Sequence, residues 1–497
     1  MEGSAVSPSL FLSLREGVSL AAGDQGKLVL RSAEAQFVFR QLPGGVRAAL
    51  QRLGTTGEAE DCLAEIVQTD GTAALAKWHY YLQRLSQRGL VQLSAALDRR
   101  RLATLTPISA SSVYPSREVA SDRQYVLSRF AYMRRVGGES VLESPLSHAR
   151  ITLHDWPAVA LVHALSRPLR ADAVVGLIPS LSTEAANQLL TLLATGNMLA
   201  ELDDNGTDAD ASSPALKFWE FHDLLFHARS RLGRHDNPAG GTYRFVGQLD
   251  PPLGLKPPSA DEVIDLYCPD LDRLRRDDPP FAHVQEMRES VRDYADQPIT
   301  ARQLGEFLYR VGRVRTCAEY DVKTPRGPVR MAFTSRPYPD AGALYELELY
   351  AAVNACEGLA PGLYHYDPFH HRLERLCGRT VDVGQLVRDA SWGTGSVPDR
   401  LQVLLIIATR LPRIGWKYAS IAYALTLKHV GVLYQTMYLV ATAMNLAPCA
   451  VGCGNADLFA RAADTDYFAE TSVGEFLLGS KREVPARSGC QQSTDGF

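Results

Sequence analysis

The sequence is poor in cysteine, nearly balanced in charge and without a basic segment ahead of an apolar core at its start. Eight cysteines in 497 residues are too few for a disulfide scaffold. Cys449 and Cys453 lie four apart but have no matching Cys or His pair, so they read as buried free thiols rather than metal ligands. A formal net charge of −4 gives no support to general nucleic-acid binding. The missing secretory pattern points to the cytoplasm. No nicotinamide-binding glycine fingerprint follows a strand. What remains is 46% hydrophobic and 22% charged, the balance of an ordinary globular protein of two to four domains.

One long hydrophobic run stands out. From Val430 to Ala456 there is no charged residue. Ser420 to Asn445 would make a helix of about 40 Å at ~1.5 Å per residue. Lys428 and His429 inside it, and Gln435, Thr436, Thr442 and Asn445 further on, are costly in lipid. The flanks lack the asymmetric basic cluster that orients a span. The run is therefore expected as the central helix of a large domain, buried on most faces. Lys417-Tyr418 opens it and a small-residue segment from Pro448 to Gly454 closes it.

Ahead of this run the chain divides. Phe11–Leu14 and Lys27–Leu30 read as strands around Gly23–Gly26. Helices are expected over Val46–Leu53, Ala59–Val67 and Leu75–Arg88, the last with Leu75, Trp78, Leu82 and Leu85 on one face. Gly89 ends it and Leu90–Leu93 reads as a strand. This order suggests a winged-helix unit. Its third helix carries only Lys77, Arg84 and Arg88, so peptide binding suits it as well as DNA binding. A second unit of similar order runs from Ala149 to Leu202, with helices expected over Pro157–Leu165, Ala171–Ile178 and Thr183–Thr195. The expected domains are residues 1–100, 101–202, a linker and helix over 203–257, a large domain over 258–483, and a disordered tail over 484–497. Within the linker, Lys217–Arg234 is expected as one helix and Asn237–Pro258 as an extended connector.

Several stretches carry chemistry. Arg288, Ser290 and Arg292 lie within five residues and suit a phosphate, or simply an exposed basic turn. Thr300 is placed to cap a helix over Ala301–Val311. Pro339-Asp340-Ala341-Gly342 offers backbone amides to a flat ligand. Lys417 and Tyr418 suit proton transfer if burial lowers the lysine pKa, or a plain ion pair and core packing. The histidines of Gly358–Tyr366, with His370 and His371, show no metal spacing.

Taken in order, Arg288-x-Ser290-x-Arg292, Arg336-Pro337-Tyr338-Pro339, Gly358–Tyr366, Lys417-Tyr418 and the Pro448–Gly454 loop resemble the flavin-dependent nitroreductase superfamily. Within it, the chain resembles the azoline dehydrogenases that work with peptide cyclodehydratases, and the stretch from Trp219 to Phe245 most resembles the cyanobactin thiazoline oxidases. The resemblance implies an α+β chain in which winged-helix-like peptide-binding units precede an FMN-binding nitroreductase-like domain. It implies FMN at a homodimer interface. Arg288, Ser290 and Arg292 would hold the phosphate and ribityl chain, with Lys481 and Arg482 adding to that site. Pro339, Asp340 and Ala341 would lie along the flavin edge, and Gly452, Cys453 and Gly454 would present backbone N–H groups near N5. Asp340 stands where the family usually has Ser. Lys417 and Tyr418 become the implied acid/base pair, and no metal is called for. The implied reaction converts thiazolines or oxazolines of a modified precursor peptide to azoles, with O2 reoxidising the flavin. An NAD(P)H-dependent nitroreductase and a flavin-free peptide-binding partner are the competing expectations.

Overall fold

The computed structural model describes residues 10–482 except 33–35, 99, 110 and 112–118. The expected tail over 484–497 lies outside the described residues. The chain forms two compact units, one through Asn237 and one from Pro238.

In the first unit Phe11–Leu14 pairs antiparallel with Val91–Leu97, which pairs with Arg100–Pro107. Three helices, Gly44–Gly54, Glu60–Gln68 and Thr72–Gln87, precede that hairpin. Ser19–Ala22, Leu28–Arg31 and Gln36–Phe39 form a three-stranded wing. Trp78, Leu82 and Leu85 on the third helix are buried, as their spacing requires. The first helix begins two residues earlier than its apolar pattern, at Gly44. The Asp70 carboxylate accepts from the Gly45 N–H there, and a Cβ on Gly45 would overlap the Ile66 carbonyl.

Arg100–Pro107 also pairs with Ala149–Leu153, so a single seven-stranded sheet continues into the second half of the unit. That half adds the helices Trp156–Ala164 and Thr183–Thr195, capped by Asp155 and Ser182. The helix expected over Ala171–Ile178 is only a 3-10 turn, Ala171–Ala173, followed by Val174–Leu177. The helix expected over Lys217–Arg234 is shorter, Phe221–Arg229, because Trp219 and Glu220 are extended.

The second unit is built on a seven-stranded antiparallel sheet. Its order is Val263–Asp265, Arg372–Gly378, Gly362–Asp367, Leu347–Val353, Val403–Arg410, Glu470–Ser480, Leu446–Val451. Leu347–Val353 and Val403–Ala408 are buried throughout, as strands covered on both faces must be. One face packs on the helices Ala301–Gly312 and Ala422–Ala443. The other packs on Val381–Thr394 and Ala456–Ala463. Thr300 caps Ala301–Gly312 in a reciprocal box with Gln303.

Ala422–Ala443 is the central helix. Thr426, His429, Val430, Leu433, Met437 and Ala441 form its buried stripe. Lys428, Gly431 and Gln435 are exposed on the opposite side, and Tyr423 and Leu427 are exposed on its flank, so the helix is not buried on most faces as expected. Among the described residues no helix is long and apolar enough to cross a membrane.

Residues 237–258 do not form a free extended connector. Gly240–Gly241 pairs antiparallel with Tyr418–Ala419. Tyr243, Phe245 and Val246 pack on a small core made by Met331, Leu344, Ile414 and Trp416. Met331 comes from the hairpin formed by Thr316–Thr324 and Gly327–Ser335.

Candidate active site

Three of the segments singled out in the sequence meet the central helix at intervals of about one turn. The first is the Pro339–Gly342 loop. The Ala341 N–H donates to His429 Nε2 at 2.9 Å. The second is the Gly452–Gly454 loop. It joins Ser472–Glu475, Val430 and Tyr434 around a cavity of about 360 Å³. The third is the Arg288–Arg292 segment. Ser290 Oγ lies 2.7 Å from the Tyr438 hydroxyl, and the Arg288 guanidinium lies 5.4 Å from that ring. From His429 to Tyr438 the helix rises about 13 Å.

The strand Leu446–Val451 makes this possible. It runs back antiparallel to Glu470–Ser480 and carries the chain from the C-terminal end of the helix to its middle. The Tyr438 hydroxyl also accepts the Ala450 N–H at 2.8 Å, and the Val291 N–H donates to the Pro448 carbonyl at 2.8 Å.

The glycines here are required by space. A Cβ on Gly454 would overlap the Glu475 carboxylate. A Cβ on Gly474 would lie 2.5 Å from the Tyr434 hydroxyl. Glu475 is buried, and burial raises its pKa. Gly452, Cys453 and Gly454 are exposed at the cavity rim.

Lys417 and Tyr418 close the other end of the Pro339–Gly342 loop. A Cβ on Gly342 would overlap Lys417 Nζ and come within 2.8 Å of the Tyr418 hydroxyl. Gly342 also has a φ of +68°, so the loop depends on glycine twice over. Trp416 and Arg413, only 2% and 1% exposed, anchor the pair. Arg413 donates to the carbonyls of Leu344, Pro252 and Ala332, and Trp416 Nε1 donates to that of Leu249. Lys417 is half-buried. Burial lowers its pKa, Asp340 opposes that shift and Arg413 adds to it. Tyr418 is raised, chiefly by burial.

Asp340 does not present its carboxylate to solvent. The side chain is fully buried, accepting the Leu344 N–H at 3.0 Å and lying 3.2 Å from His429 Nδ1. Glu346 Oε1 is 2.7 Å from the same nitrogen. Burial and the adjacent Glu346 push Asp340 up to about 7. Glu346 is held low despite its burial by the hydrogen bonds from His429 and Asp340. Because Nε2 accepts from Ala341, the proton sits on Nδ1 and the imidazole is neutral. Its carboxylate neighbours pull it towards protonation, which would break the Ala341 bond. Among the described residues these three side chains are the one group spaced to hold a metal.

Lys481 and Arg482 reach the Arg288–Arg292 segment through the bridge between Tyr294 and Lys481. Both are ion-paired there. Lys481 Nζ is 2.8 Å from Glu289 and Arg482 is 2.9 Å from Asp293. Arg288 and Arg292 have no carboxylate partner among the described residues, which leaves them the better candidates for a phosphate.

Sequence reasoning missed His429, Glu346 and Tyr243 as site residues. The signal for His429 was present: a titratable group in an apolar helix needs a partner. The histidine of the Gly358–Tyr366 stretch serves elsewhere, with His365 between Glu348 and Glu374 at 3.3 and 3.0 Å.

The comparisons with known proteins follow this division. The helix-turn-helix domain model of ThcOx matches residues 6–114 and the cyanobactin oxidase ThcOx model matches residues 125–236. The nitroreductase family model matches residues 286–479, which include the Arg288–Arg292, Pro339–Gly342, Lys417-Tyr418 and Gly452–Gly454 segments but not Lys481 and Arg482. The domain over residues 286–479 is thus of the nitroreductase family. The three matches follow one another along the chain, the two ThcOx models first and the nitroreductase model after them. A Methanocaldococcus jannaschii protein named as a nitroreductase is 28% identical over 191 residues, 38% of this chain and 85% of that protein. The microcin B17-processing protein McbC of Escherichia coli is 30% identical over 115 residues, 22% of this chain and 42% of McbC. Among solved structures, a Ralstonia eutropha nitroreductase matches at 20% identity and TM-score 0.34, covering 47% of this chain and 99% of that one. The Escherichia coli microcin synthetase McbBCD complex, with truncated pro-MccB17 bound, matches at 18% identity and TM-score 0.33, covering 52% of this chain and 91% of that one.

Proposed function

We propose that this nitroreductase-superfamily chain is an FMN-dependent azoline oxidase. It would convert thiazolines or oxazolines of a modified precursor peptide to thiazoles or oxazoles, with O2 as the final electron acceptor. The observation that carries this reading is the approach of Lys417 and Tyr418 to Gly342, on the loop that His429 fastens to the central helix. Similarity to the cyanobactin oxidases and to a microcin-processing protein supports a peptide substrate.

The residues present fit a flavin mononucleotide. Glycine at 342 and 454 lets the two loops lie directly against Lys417 and Glu475, and the Gly452–Gly454 loop borders the cavity of about 360 Å³. Arg288 and Arg292, with Ser290, would hold the phosphate end. Pro339 to Ala341 and Gly452 to Gly454 would hold the ring. When bound, FMN supplies a two-electron acceptor for the hydride leaving the ring β-carbon.

The chain's own residues manage the proton. Lys417, lowered by burial, takes the proton from the ring α-carbon as a neutral amine. Tyr418, held protonated by burial, donates a hydrogen bond that orients the azoline. Removal of one proton and one hydride balances the loss of two hydrogens. Arg413 and Trp416 fix the pair by bonding to four backbone carbonyls.

The first unit would grip the leader of the precursor, with a cyclodehydratase supplying the ring. The outward side of the central helix, with Tyr423 44% exposed and Leu427 beside it, suits a second copy of the chain. The deciding experiment incubates the yellow, FMN-loaded protein with a heterocyclised peptide and follows mass. A loss of about 2 Da per ring, the two hydrogens of the oxidation, supports the reading. Rapid reduction by NAD(P)H with no change in the peptide would favour a plain nitroreductase.

A further inference from the structure

The segment from Pro238 to Gly254 lies between the parts of the chain matched by family models, which end at 236 and resume at 286. It is nevertheless built into the candidate site. Gly240–Gly241 adds a strand to Tyr418–Ala419. The Tyr243 N–H donates to the Lys417 carbonyl at 3.1 Å. The Tyr243 ring packs edge-on against Trp416, with centroids 6.0 Å apart. Further along, Leu249 and Pro252 supply two of the carbonyls that Trp416 and Arg413 bind.

This course brings Tyr243 to Lys417. The ammonium lies 5.8 Å from the centroid of the Tyr243 ring and 5.1 Å from that of Tyr418. Tyr243 has a φ of +50°, a left-handed conformation uncommon for a bulky residue. Its backbone bond to Lys417 and its packing on Trp416 hold it there. A lysine flanked by two aromatic rings gains electrostatic stabilisation of its charged form.

We propose that Tyr243 is a positioning residue of the active site, which fixes Lys417 beside Gly342 and sets the pH at which its amine becomes neutral. This rests on the reading of Lys417 as the base. The other charged or titratable groups acting on Lys417 are Asp340, which favours the ammonium, and Arg413, which disfavours it. Tyr418 faces it from the next residue. Glu346 and His429 stand behind Asp340. Tyr243 is the only one of these groups on a segment outside the nitroreductase match.

The test compares Tyr243→Phe and Tyr243→Leu in the full, FMN-loaded chain. Leu removes the aromatic face and Phe keeps it. Two profiles are measured between pH 6 and 10 (roughly bracketing a lowered lysine). One is the rate of azoline oxidation; the other is labelling of Lys417 by an amine-selective reagent, read by peptide mass spectrometry. In Tyr243→Leu both rising limbs are expected about half a unit lower, because a cation–π contact of this exposure is worth a few-fold in protonation. Tyr243→Phe is expected to follow the native profiles. Labelling profiles that coincide for all three proteins overturn the proposal. A labelling shift with no change in the oxidation profile would uphold the role of Tyr243 at Lys417 and sink Lys417 as the base.

Discussion

His429 and Ala341 are joined across the candidate site: the Ala341 N–H donates to Nε2 at 2.9 Å, while Nδ1 faces Glu346 at 2.7 Å. One imidazole thus ties a strand-leading glutamate, the loop before Gly342 and the middle of the central helix. The loop is positioned through a bond that requires a neutral ring.

That bond predicts a pH effect at the loop. Protonating His429 turns Nε2 into a donor facing another donor. Acidification is therefore expected to free the Ala341 amide before the helix opens. Amide hydrogen exchange at Ala341, corrected for intrinsic rates, should lose protection towards low pH relative to Leu433. Equal protection of both at every pH would oppose this. His429→Ala leaves Asp340 and Glu346 buried without their imidazole and is expected to cost about 3 kcal/mol in chemical denaturation.

Asp340 gives a second pH prediction, for stability. Its folded pKa, about 7, lies above the ordinary aspartate value. The folded state therefore binds the proton more tightly than the unfolded state. The associated stability is full below about pH 4 and falls as pH rises to about 7. Asp340→Asn cannot titrate and should flatten the decline in stability between pH 4 and 7. An unchanged slope in urea denaturation at several pH values would contradict the burial of this carboxyl.

Lys417→Ala should retain FMN and lose azoline turnover by roughly 10²- to 10⁴-fold, the usual contribution of a positioned base. Flavin absorbance and peptide mass measure the two separately. Native turnover in the variant would refute the assignment.

Gly454→Ala places a methyl group on the Glu475 carboxylate. Overpacking of this kind costs about 1–3 kcal/mol. Flavin content per chain is expected to fall with it. Gly415→Ala, where a Cβ meets nothing within 4 Å, is the control and should leave flavin content at the native level.

Removing residues 1–237, the first compact unit, should weaken binding of a leader-bearing peptide much more than it weakens FMN binding. Fluorescence titration of a labelled leader peptide reads the first effect and flavin content the second. Unchanged peptide affinity would locate leader recognition in the second unit.

The elements that could be read from the sequence are those whose signals are local. The third helix of the first unit announced itself through Trp78, Leu82 and Leu85, and Ala301–Gly312 through the Thr300 cap. Periodicity and capping act over four residues, so they survive without the fold. Lys417-Tyr418 and the Arg288-x-Ser290-x-Arg292 run could be singled out as candidates because adjacent residues carry them. The same locality explains the failures. Lys217–Arg234 looked helical throughout, yet Trp219 and Glu220 are extended. Asn237–Pro258 looked like a connector because its Gly and Pro content hides a strand pairing made with Tyr418–Ala419, far along the chain.

The sequence by itself determined that the run after Lys417-Tyr418 is a long helix, with polar residues that bar it from lipid. It could not tell that only one stripe is buried, or that His429, the Val430–Tyr434 pair and Tyr438 each receive a different segment. Tertiary structure decided that, because the partners come from 340, 454 and 290, and only the antiparallel return of Leu446–Val451 brings them to one helix. Tyr243 beside Lys417 was decided in the same way: a contact between residues 174 positions apart depends on the sheet edge at Tyr418, which no local pattern encodes.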